Sequence, residues 1–355
     1  MYKGHALVVH KAGPWRESIQ LHNDYAIPVT PGLGQVLVRV TAAGLAFPDL
    51  LTAEDRHVHP LGKLPRIMGR EISGVVIRLG LGVTKLKLGD WVFGSSVSGA
   101  WASFAIVSEN DCQKFTPTRH FTPIIAAGFS LNYGTSFHAL VHQAGLRESE
   151  TVLILGAAGG IGLAAIDIAK ALGATVIACA SSAEKLKVCK DAGADFCVDY
   201  TDADEMRKQV ERITGGEAAR APADKGGVDV VFDAVGGEWS ERALRLLRFA
   251  GRFLVLGFAS GSNAPKSAIP RVPLNLVLLN ERKVVGVLYG TWRKLHPRAD
   301  AQAMDTMIAM MERGALKPLV RAYPVAQYKD AMEDLMARRS VGKIVFDFDA
   351  LRARF

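Results

Sequence analysis

The sequence predicts an α/β protein, a doubly wound parallel sheet joined to a second, strand-rich domain. Three observations point there. Residues 129–296 alternate short apolar runs with amphipathic stretches, as buried strands and their covering helices do. A glycine turn made of Gly156, Gly159, Gly160 and Gly162 joins the first of those runs to a helical stripe. Residues 1–128 instead read as strands between glycines and prolines, and residues 297–355 carry no core signal of their own. At 355 residues the chain exceeds what one core organises comfortably. Two domains are expected: 129–296, and 1–128 completed by a return segment, 297–355.

In the first segment, residues 6–9 read as a strand, and Pro28, Pro31, Gly32 and Gly34 mark a turn. Residues 35–40 place Val36, Val38 and Val40 on one strand face. Residues 71–78, 89–94 and 102–107 offer further short strands. Residues 47–65 read as a loop carrying Asp49, Asp55, His57 and His59, of the kind that walls a site.

The middle segment opens with a strand at 152–155. Ile161, Ala164, Ala165, Ile168 and Leu172 then form a helical stripe closed by Gly173. Strand, glycine turn and helix make a dinucleotide-binding unit, because the turn brings a pyrophosphate onto unpaired N–H groups at the helix N-terminus. The spacing is Ala157-x-Gly159-x-x-Gly162, with alanine where the usual fingerprint begins. Residues 175–179 are the second strand, and Ser181 with Glu184 reads as a capping box for the next helix. A third strand at 196–198 precedes a helix capped by Thr201, with Met206, Val210 and Ile213 on one face. Residues 214–227 form a polar, glycine-rich loop with no assigned purpose. Strands at 228–232, 252–256 and 284–288 bring the count to six, a full dinucleotide-binding sheet. In the return segment Met304, Ile308 and Met311 lie at helical spacing, and 343–346 is the last strand.

Hydrophobic residues make up 49% of the chain, and the formal net charge is +8. The basic residues are scattered rather than gathered in a run, so the positive balance is weak evidence for a nucleic-acid partner, which is not expected, and it would fit a polyanionic substrate tail such as that of coenzyme A equally well. No stretch of about 20 apolar residues is free of charge or glycine, so no membrane span is expected. Only four apolar residues follow the N-terminal pentapeptide, too few for a signal peptide, and the expected compartment is the cytoplasm. Cys112, Cys179, Cys189 and Cys197 form no Cys-x-x-Cys pair and read as buried thiols rather than zinc ligands or disulfides.

Several segments, in order, resemble the medium-chain dehydrogenase/reductase superfamily, and within it the zinc-free quinone oxidoreductase (zeta-crystallin-like) family. They are 36–49 (VLVRVTAAGLAFPD), 69–94 (GREISGVVIRLGLGVTKLKLGDWVFG), 132–140 (NYGTSFHAL), 152–200, 228–237 (VDVVFDAVGG), 251–261 (GRFLVLGFASG) and 342–345 (GKIV). The resemblance implies a Rossmann domain inserted into a GroES-like, partly β-barrel domain, with the site in the cleft. It also implies a homodimer or homotetramer joined through the nucleotide domain, with 284–289 as the pairing edge strand. Zinc alcohol dehydrogenases of the superfamily place catalytic ligands where this chain has Ala46, Arg70 and Leu131. None of these is a normal zinc ligand, and the four-cysteine structural lobe is missing, so no metal is expected. The pairs His138/His142 and His57/His59 read as surface or packing residues.

Rossmann folds that bind NAD place an acid about 20 residues past the glycine turn. Here that place reads Cys179-Ala180-Ser181-Ser182, whose hydroxyls suit a 2′-phosphate that an acid would repel. By resemblance Lys185 and Tyr200 hold the phosphate, so the expected cofactor is NADPH. Ala158, Gly159, Gly160 and Ile161 would take the pyrophosphate. Gly257, Phe258 and Ser260 match the family segment beside the nicotinamide, which Leu288 and Tyr289 would also line. The implied reaction is hydride transfer to a small-molecule quinone or enone (an α,β-unsaturated carbonyl). A 2-enoyl thioester reductase is the alternative enzyme, and a non-catalytic NADPH-binding or RNA-binding crystallin-like protein the alternative of another class. Asp49 keeps the family aspartate, whereas Ala46 and Leu51 replace an asparagine and a tyrosine and make the substrate side more apolar. Tyr133 is either a proton donor or oxyanion partner, or core packing at the domain junction. Thr135 either positions the nicotinamide or caps the domain-joining helix.

Overall fold

The computed structural model describes residues 1–56, 61–96, 99–215, 226–261 and 269–352. His57, His59 and residues 216–225 of the glycine-rich loop lie outside the described residues. The chain divides into two units. Unit 1 is Met1–Asn132 with Pro318–Phe355, and unit 2 is Tyr133–Lys317.

The strands of unit 1 before the crossing are β1 (Tyr2–Val9), β2 (Ile19–Ile27), β3 (Gln35–Leu45), β4 (Arg66–Ile67), β5 (Glu71–Leu79), β6 (Trp91–Ser95), β7 (Phe104–Ser108) and β8 (Cys112–Lys114). Unit 2 contributes β9 (Thr151–Leu155), β10 (Thr175–Ala180), β11 (Phe196–Asp199), β12 (Val228–Asp233), β13 (Leu247–Val255) and β14 (Lys283–Gly286). The chain then returns to unit 1 through β15 (Val320–Pro324) and β16 (Lys343–Asp347).

In unit 1 a small sheet, β2-β1-β4, accompanies a larger one ordered β15-β16-β3-β5-β6-β8, with β7 also pairing to β3. Along one edge of β3, Gln35–Arg39 pair with β7 and Ala42–Leu45 with β16, while β5 runs along the other edge. Both faces of β3 are covered. Val36, Val38 and Val40 join the main core with Trp101 and Phe346, and Ala42 packs with Ala127 and Val345. The one-faced strand expected from Val36, Val38 and Val40 is therefore buried at Leu37 too. The expected 47–65 loop opens with a helix, Phe47–Ala53, started by Pro48 and by the Asp49 carboxylate, which accepts from Ala46 N at 2.9 Å.

Unit 2 is a six-stranded parallel sheet ordered β11-β10-β9-β12-β13-β14. Helices Gly160–Ala171, Ala183–Asp191, Ala203–Ile213 and Glu238–Arg245 alternate with the strands. Burial on both faces explains the largely apolar runs of β9, β10 and β12. The strand order reverses between β9 and β12, the switch point where such sheets bind ligands.

Several expected boundaries move. The helix after β10 is capped by Ser182, not Ser181, because the Ser182 hydroxyl accepts from Lys185 N. Asp202, not Thr201, caps the helix after β11, accepting from Asp204 N and Glu205 N. The last strand stops at Gly286, and Tyr289 opens a helix, Tyr289–Leu295. Both unit boundaries lie downstream of 128/129 and 296/297. The helix Pro297–Glu312 buries Ala303, Met304, Met307, Met310 and Met311, Asp300 accepts from the Tyr289 hydroxyl at 2.7 Å, and Lys317 N donates to Asp167 at 2.7 Å. Those contacts hold 297–317 in unit 2, and the return begins only at Pro318. Among the described residues no helix is long and apolar enough to cross a membrane.

Candidate active site

The glycine turn follows β9 directly. Gly156 sits at φ +67°, and Gly159 is the N-cap of the helix Gly160–Ala171. A Cβ on Gly162 would come within 2.5 Å of Gly156 O and 2.6 Å of Ala157 Cα, so only glycine lets the first helical turn lie against the loop. Gly159 differs, since a Cβ there would meet nothing closer than 3.4 Å, and its missing side chain leaves open space beside the helix end. Ala157, where the fingerprint would start with glycine, has no need of one. Its backbone is not left-handed, and its N–H donates to Cys179 O at 3.0 Å. The first-turn N–H groups of a helix have no intrahelical acceptor and carry the positive end of its dipole. Ala158, Gly159, Gly160 and Ile161 all lie in this turn, and the cradle fits a pyrophosphate.

At the neighbouring strand ends Ala180 pairs with Asp199, and Tyr200 N donates to Ala180 O at 3.2 Å. Ser181, Ser182 and Tyr200 therefore leave the sheet side by side. Ser182 spends its hydroxyl oxygen on the helix cap, Ser181 is exposed, and Lys185 lies half-buried in the first turn of the helix. The Tyr200 ring stands edge-on to Trp239 at 5.6 Å, and Trp239 Nε1 donates to Tyr200 O at 2.8 Å. A hydroxyl, an ammonium and a phenol beside a strand end without an acid fit a 2′-phosphate.

Beyond β13, Ser260 N donates to Val235 O at 2.8 Å, and Phe258 is exposed. Gly257 lies half-buried just before them. Gly236 and Gly237, both at positive φ, make room for this segment, for a Cβ on them would approach Phe258 Cδ1 to 2.8 Å and Ser260 Oγ to 2.6 Å. Asp233, which sequence reasoning missed, holds that glycine pair. Its carboxylate accepts from Val235 N and Gly236 N at 2.8 Å and from Ser240 Oγ at 2.6 Å. The signal was present as Asp233-Ala-Val-Gly-Gly, an aspartate turn after an apolar run.

Two expected site residues, Tyr289 and Tyr133, are buried with their hydroxyls on carboxylates. Tyr289 is buried, its ring over Gly134 and its hydroxyl on Asp300, whereas Leu288 beside it is exposed. Tyr133 is buried and donates to Asp167 Oδ2 at 2.5 Å, and burial together with Asp167 pushes its pKa well above the ordinary phenol value. The geometry supports the core-packing role for Tyr133 rather than the proton donor. Thr135 lies inside the helix Phe129–Phe137 and does not cap it. His138 and His142 share a π-helical turn with their Nδ1 atoms 3.3 Å apart, and both stack on Trp292. Burial lowers His138 to about 4, as suits a neutral packing residue.

Unit 1 holds a second cluster, built from buried charge. Asp49 Oδ2 accepts from Ala46 N, and Oδ1 lies 3.5 Å from Arg70 Nε. Burial outweighs the attraction of Arg70 and raises Asp49 to about 6. Arg70 also donates to Thr52 Oγ1 at 3.0 Å. Next along the chain, Glu71 accepts from Leu131 N at 2.7 Å and pairs with Lys343 Nζ at 2.5 Å. Gly44 leaves room for that carboxylate, since a Cβ there would stand 2.9 Å from Glu71 Oε2. Ala46, Arg70 and Leu131 thus gather around one carboxylate pair, with Leu51 half-buried in the adjoining helix. Sequence reasoning singled out Asp49 here but not Glu71 or Lys343. Among the described residues no group of three or more His, Cys, Asp or Glu side chains could hold a metal ion.

Comparison with known proteins agrees with this architecture. The alcohol dehydrogenase GroES-like domain model matches residues 32–119, and the zinc-binding dehydrogenase model matches residues 160–309. A quinone oxidoreductase-like protein 2 homolog from Nematostella vectensis is 32% identical over 320 residues, covering 89% of this chain and 82% of its own. The crystal structure of Escherichia coli quinone oxidoreductase complexed with NADPH superposes with a TM-score of 0.83 at 26% identity, over 97% of this chain and 100% of its own. A mycobacterial protein complexed with NADPH gives a TM-score of 0.84 at 28% identity, over 97% and 99% of the two chains. With both domains matched in chain order and a relative alike along most of its length, this protein belongs to the medium-chain dehydrogenase/reductase superfamily, as an oxidoreductase of the quinone oxidoreductase family.

Proposed function

We propose that this protein reduces a small quinone or α,β-unsaturated ketone with NADPH and without a metal ion. The observation that carries the cofactor reading is the strand end at Ser181–Ser182, which offers hydroxyls and no acid, with Lys185 and Tyr200 beside it. The NADPH held by two structural relatives supports it. Backbone N–H groups from Ala158 to Ile161 would hold the pyrophosphate. Ser181, Lys185 and Tyr200 would hold the 2′-phosphate, and Gly257, Phe258, Ser260 and Leu288 would flank the nicotinamide. When bound, NADPH supplies the hydride. Asp49 is the acidic group of the acceptor side, and its raised pKa keeps a proton within reach of neutral pH. Arg70 supports the metal-free reading, for its guanidinium engages Asp49 and Thr52 at a position where zinc-dependent members carry a ligand.

The open edge of β14, where Val284 is exposed, supports a homodimer or homotetramer paired along that strand. The four free cysteines are in keeping with a reducing compartment such as the cytoplasm.

The test is anaerobic NADPH oxidation with an ortho-quinone, a para-quinone, a simple enone and an enoyl thioester in parallel. Turnover of the quinones or the enone is expected. Preference for the thioester would move the protein to the enoyl thioester reductases, and tight NADPH binding with no turnover would leave a binding protein. In the same assay Lys185→Glu should weaken NADPH about tenfold or more and spare NADH, as loss of a charge-assisted phosphate contact predicts. Unchanged NADPH affinity would refute the phosphate assignment, and stoichiometric zinc in the purified protein would refute the metal-free reading.

A further inference from the structure

Unit 1 carries a small apolar cluster apart from its main core. Ala6, Val8, Ile27 and Ala102 are buried together, with Tyr25, Ile67 and Phe104 packed half-buried against them. The sheet β2-β1-β4 and the start of β7 meet at this cluster. They are tied by the Ala6–Ala102 bridge and by Ser103, whose N–H donates to His5 O at 2.9 Å and whose Oγ accepts from His5 N at 3.0 Å. Between the end of β2, the approach to β4 and β7 the cluster lies open, as a groove of about 520 Å³. Small-molecule sites span about 300–1,000 Å³.

The floor of the groove is apolar and set in place. Phe104 and Ile106 alternate along β7 with Ala105 and Val107, which belong to the main core, so the first pair faces the other way and stays half-buried. The Phe104 ring stands edge-on to Tyr2 at 5.2 Å, and the Tyr25 ring leans on His22 at 5.5 Å. The rim is cationic, with Lys63 and Arg66, and among the described residues that line the groove none is acidic. Lys63 and the Tyr25 hydroxyl have no ion-pair or hydrogen-bond partner among the described residues. Arg66 donates to Leu61 O, and burial together with the Arg70 charge lowers its pKa from the ordinary value. Both causes disfavour the guanidinium charge, and an anion beside it would offset them.

An apolar floor with two fixed rings, under a rim of cations, calls for a flat apolar body that carries one negative charge. We propose that this groove is a binding site for a small aryl carboxylate. The aryl ring lies on Ile27, Ile67, Phe104 and Ile106. The carboxylate meets the Lys63 ammonium and the Tyr25 hydroxyl, and Arg66 adds its charge. The site is built wholly from unit 1 and takes no part in hydride transfer, so it stands or falls apart from the function proposed above.

The experiment titrates the full chain with 2-naphthoate and with its neutral counterpart, 2-naphthamide, by isothermal calorimetry. Naphthoate should bind more tightly than the amide. Lys63→Glu should weaken naphthoate about tenfold, an attraction lost and a repulsion of similar size gained, and leave the amide unchanged. Phe104→Ala should weaken both ligands, because the floor has lost its ring. Lys185→Glu, which changes the charge of unit 2, should leave naphthoate affinity as it is. Equal affinity for acid and amide would overturn the proposal, as would no binding at millimolar ligand. So would naphthoate binding that Lys185→Glu weakens and Lys63→Glu does not, for the anion would then sit in the phosphate site of unit 2. Lys63 is exposed, so Lys63→Glu should melt as the native chain does. Should Phe104→Ala not fold, Ile106→Ala takes its place, and undiminished affinity for both ligands there would overturn the proposal.

Discussion

The two units build their candidate sites from different materials. Unit 2 uses backbone, with a glycine turn, a helix N-terminus and strand ends in register. Unit 1 uses buried side-chain charge drawn from Asp49, Arg70, Glu71 and Lys343, far apart along the chain. The difference teaches where each is brittle. A backbone cradle tolerates a changed side chain wherever a Cβ fits, as Ala157 shows. A buried ion pair has no such latitude, because removing one partner strands the other in a medium that cannot solvate it.

The comparison breaks first at Lys343. Lys343→Met should cost about 3–5 kcal/mol in urea unfolding, since Glu71 is left buried with an uncompensated charge. Replacing Glu71 by Leu in the same variant should recover most of the loss. A single variant as stable as the native chain would mean that unit 1 does not depend on the pair. In unit 2, Gly162→Ala forces a methyl group against Gly156 O and should cost about 1–3 kcal/mol. It should also weaken NADPH in a fluorescence titration, and native affinity there would show that the cradle has more slack than its contacts suggest. The smallest effect belongs to Tyr133→Phe, which gives up one hydrogen bond while Asp167 keeps Lys317 N. About 1 kcal/mol of stability should go and turnover should stay. A collapse of kcat without loss of stability would return Tyr133 to the list of proton donors.

The central parallel strands β9, β10 and β12 were legible because they are buried on both faces and so read as largely apolar runs. The glycine turn was legible because it is local, with every residue that shapes it lying within seven positions. Ser181 and Thr201 read as caps in sequence because each stands next to another residue, Ser182 or Asp202, that caps equally well. Only backbone direction decides which oxygen reaches the N–H three residues on. The helix Pro297–Glu312 was assigned to the return segment because its methionine stripe fits either unit. The Asp300–Tyr289 and Asp167–Lys317 bonds that place it are invisible in one dimension. Tyr133 was ambiguous for the same reason, since its partner stands 34 residues away.

By itself, then, the sequence determined the α/β class, the six-stranded nucleotide sheet, the cofactor turn and the absence of an acid where the second strand ends at Ser181 and Ser182. All of these are periodicities or short spacings, set by the repeat of strand and helix and by what one glycine permits. Tertiary structure alone decided which polar groups share a site. It brought Leu131 and Lys343 to Glu71 and turned Arg70 toward Asp49 and Thr52. The physical reason is the buried carboxylate, which must find its partners wherever the fold delivers them. Spacing along the chain carries no record of that delivery.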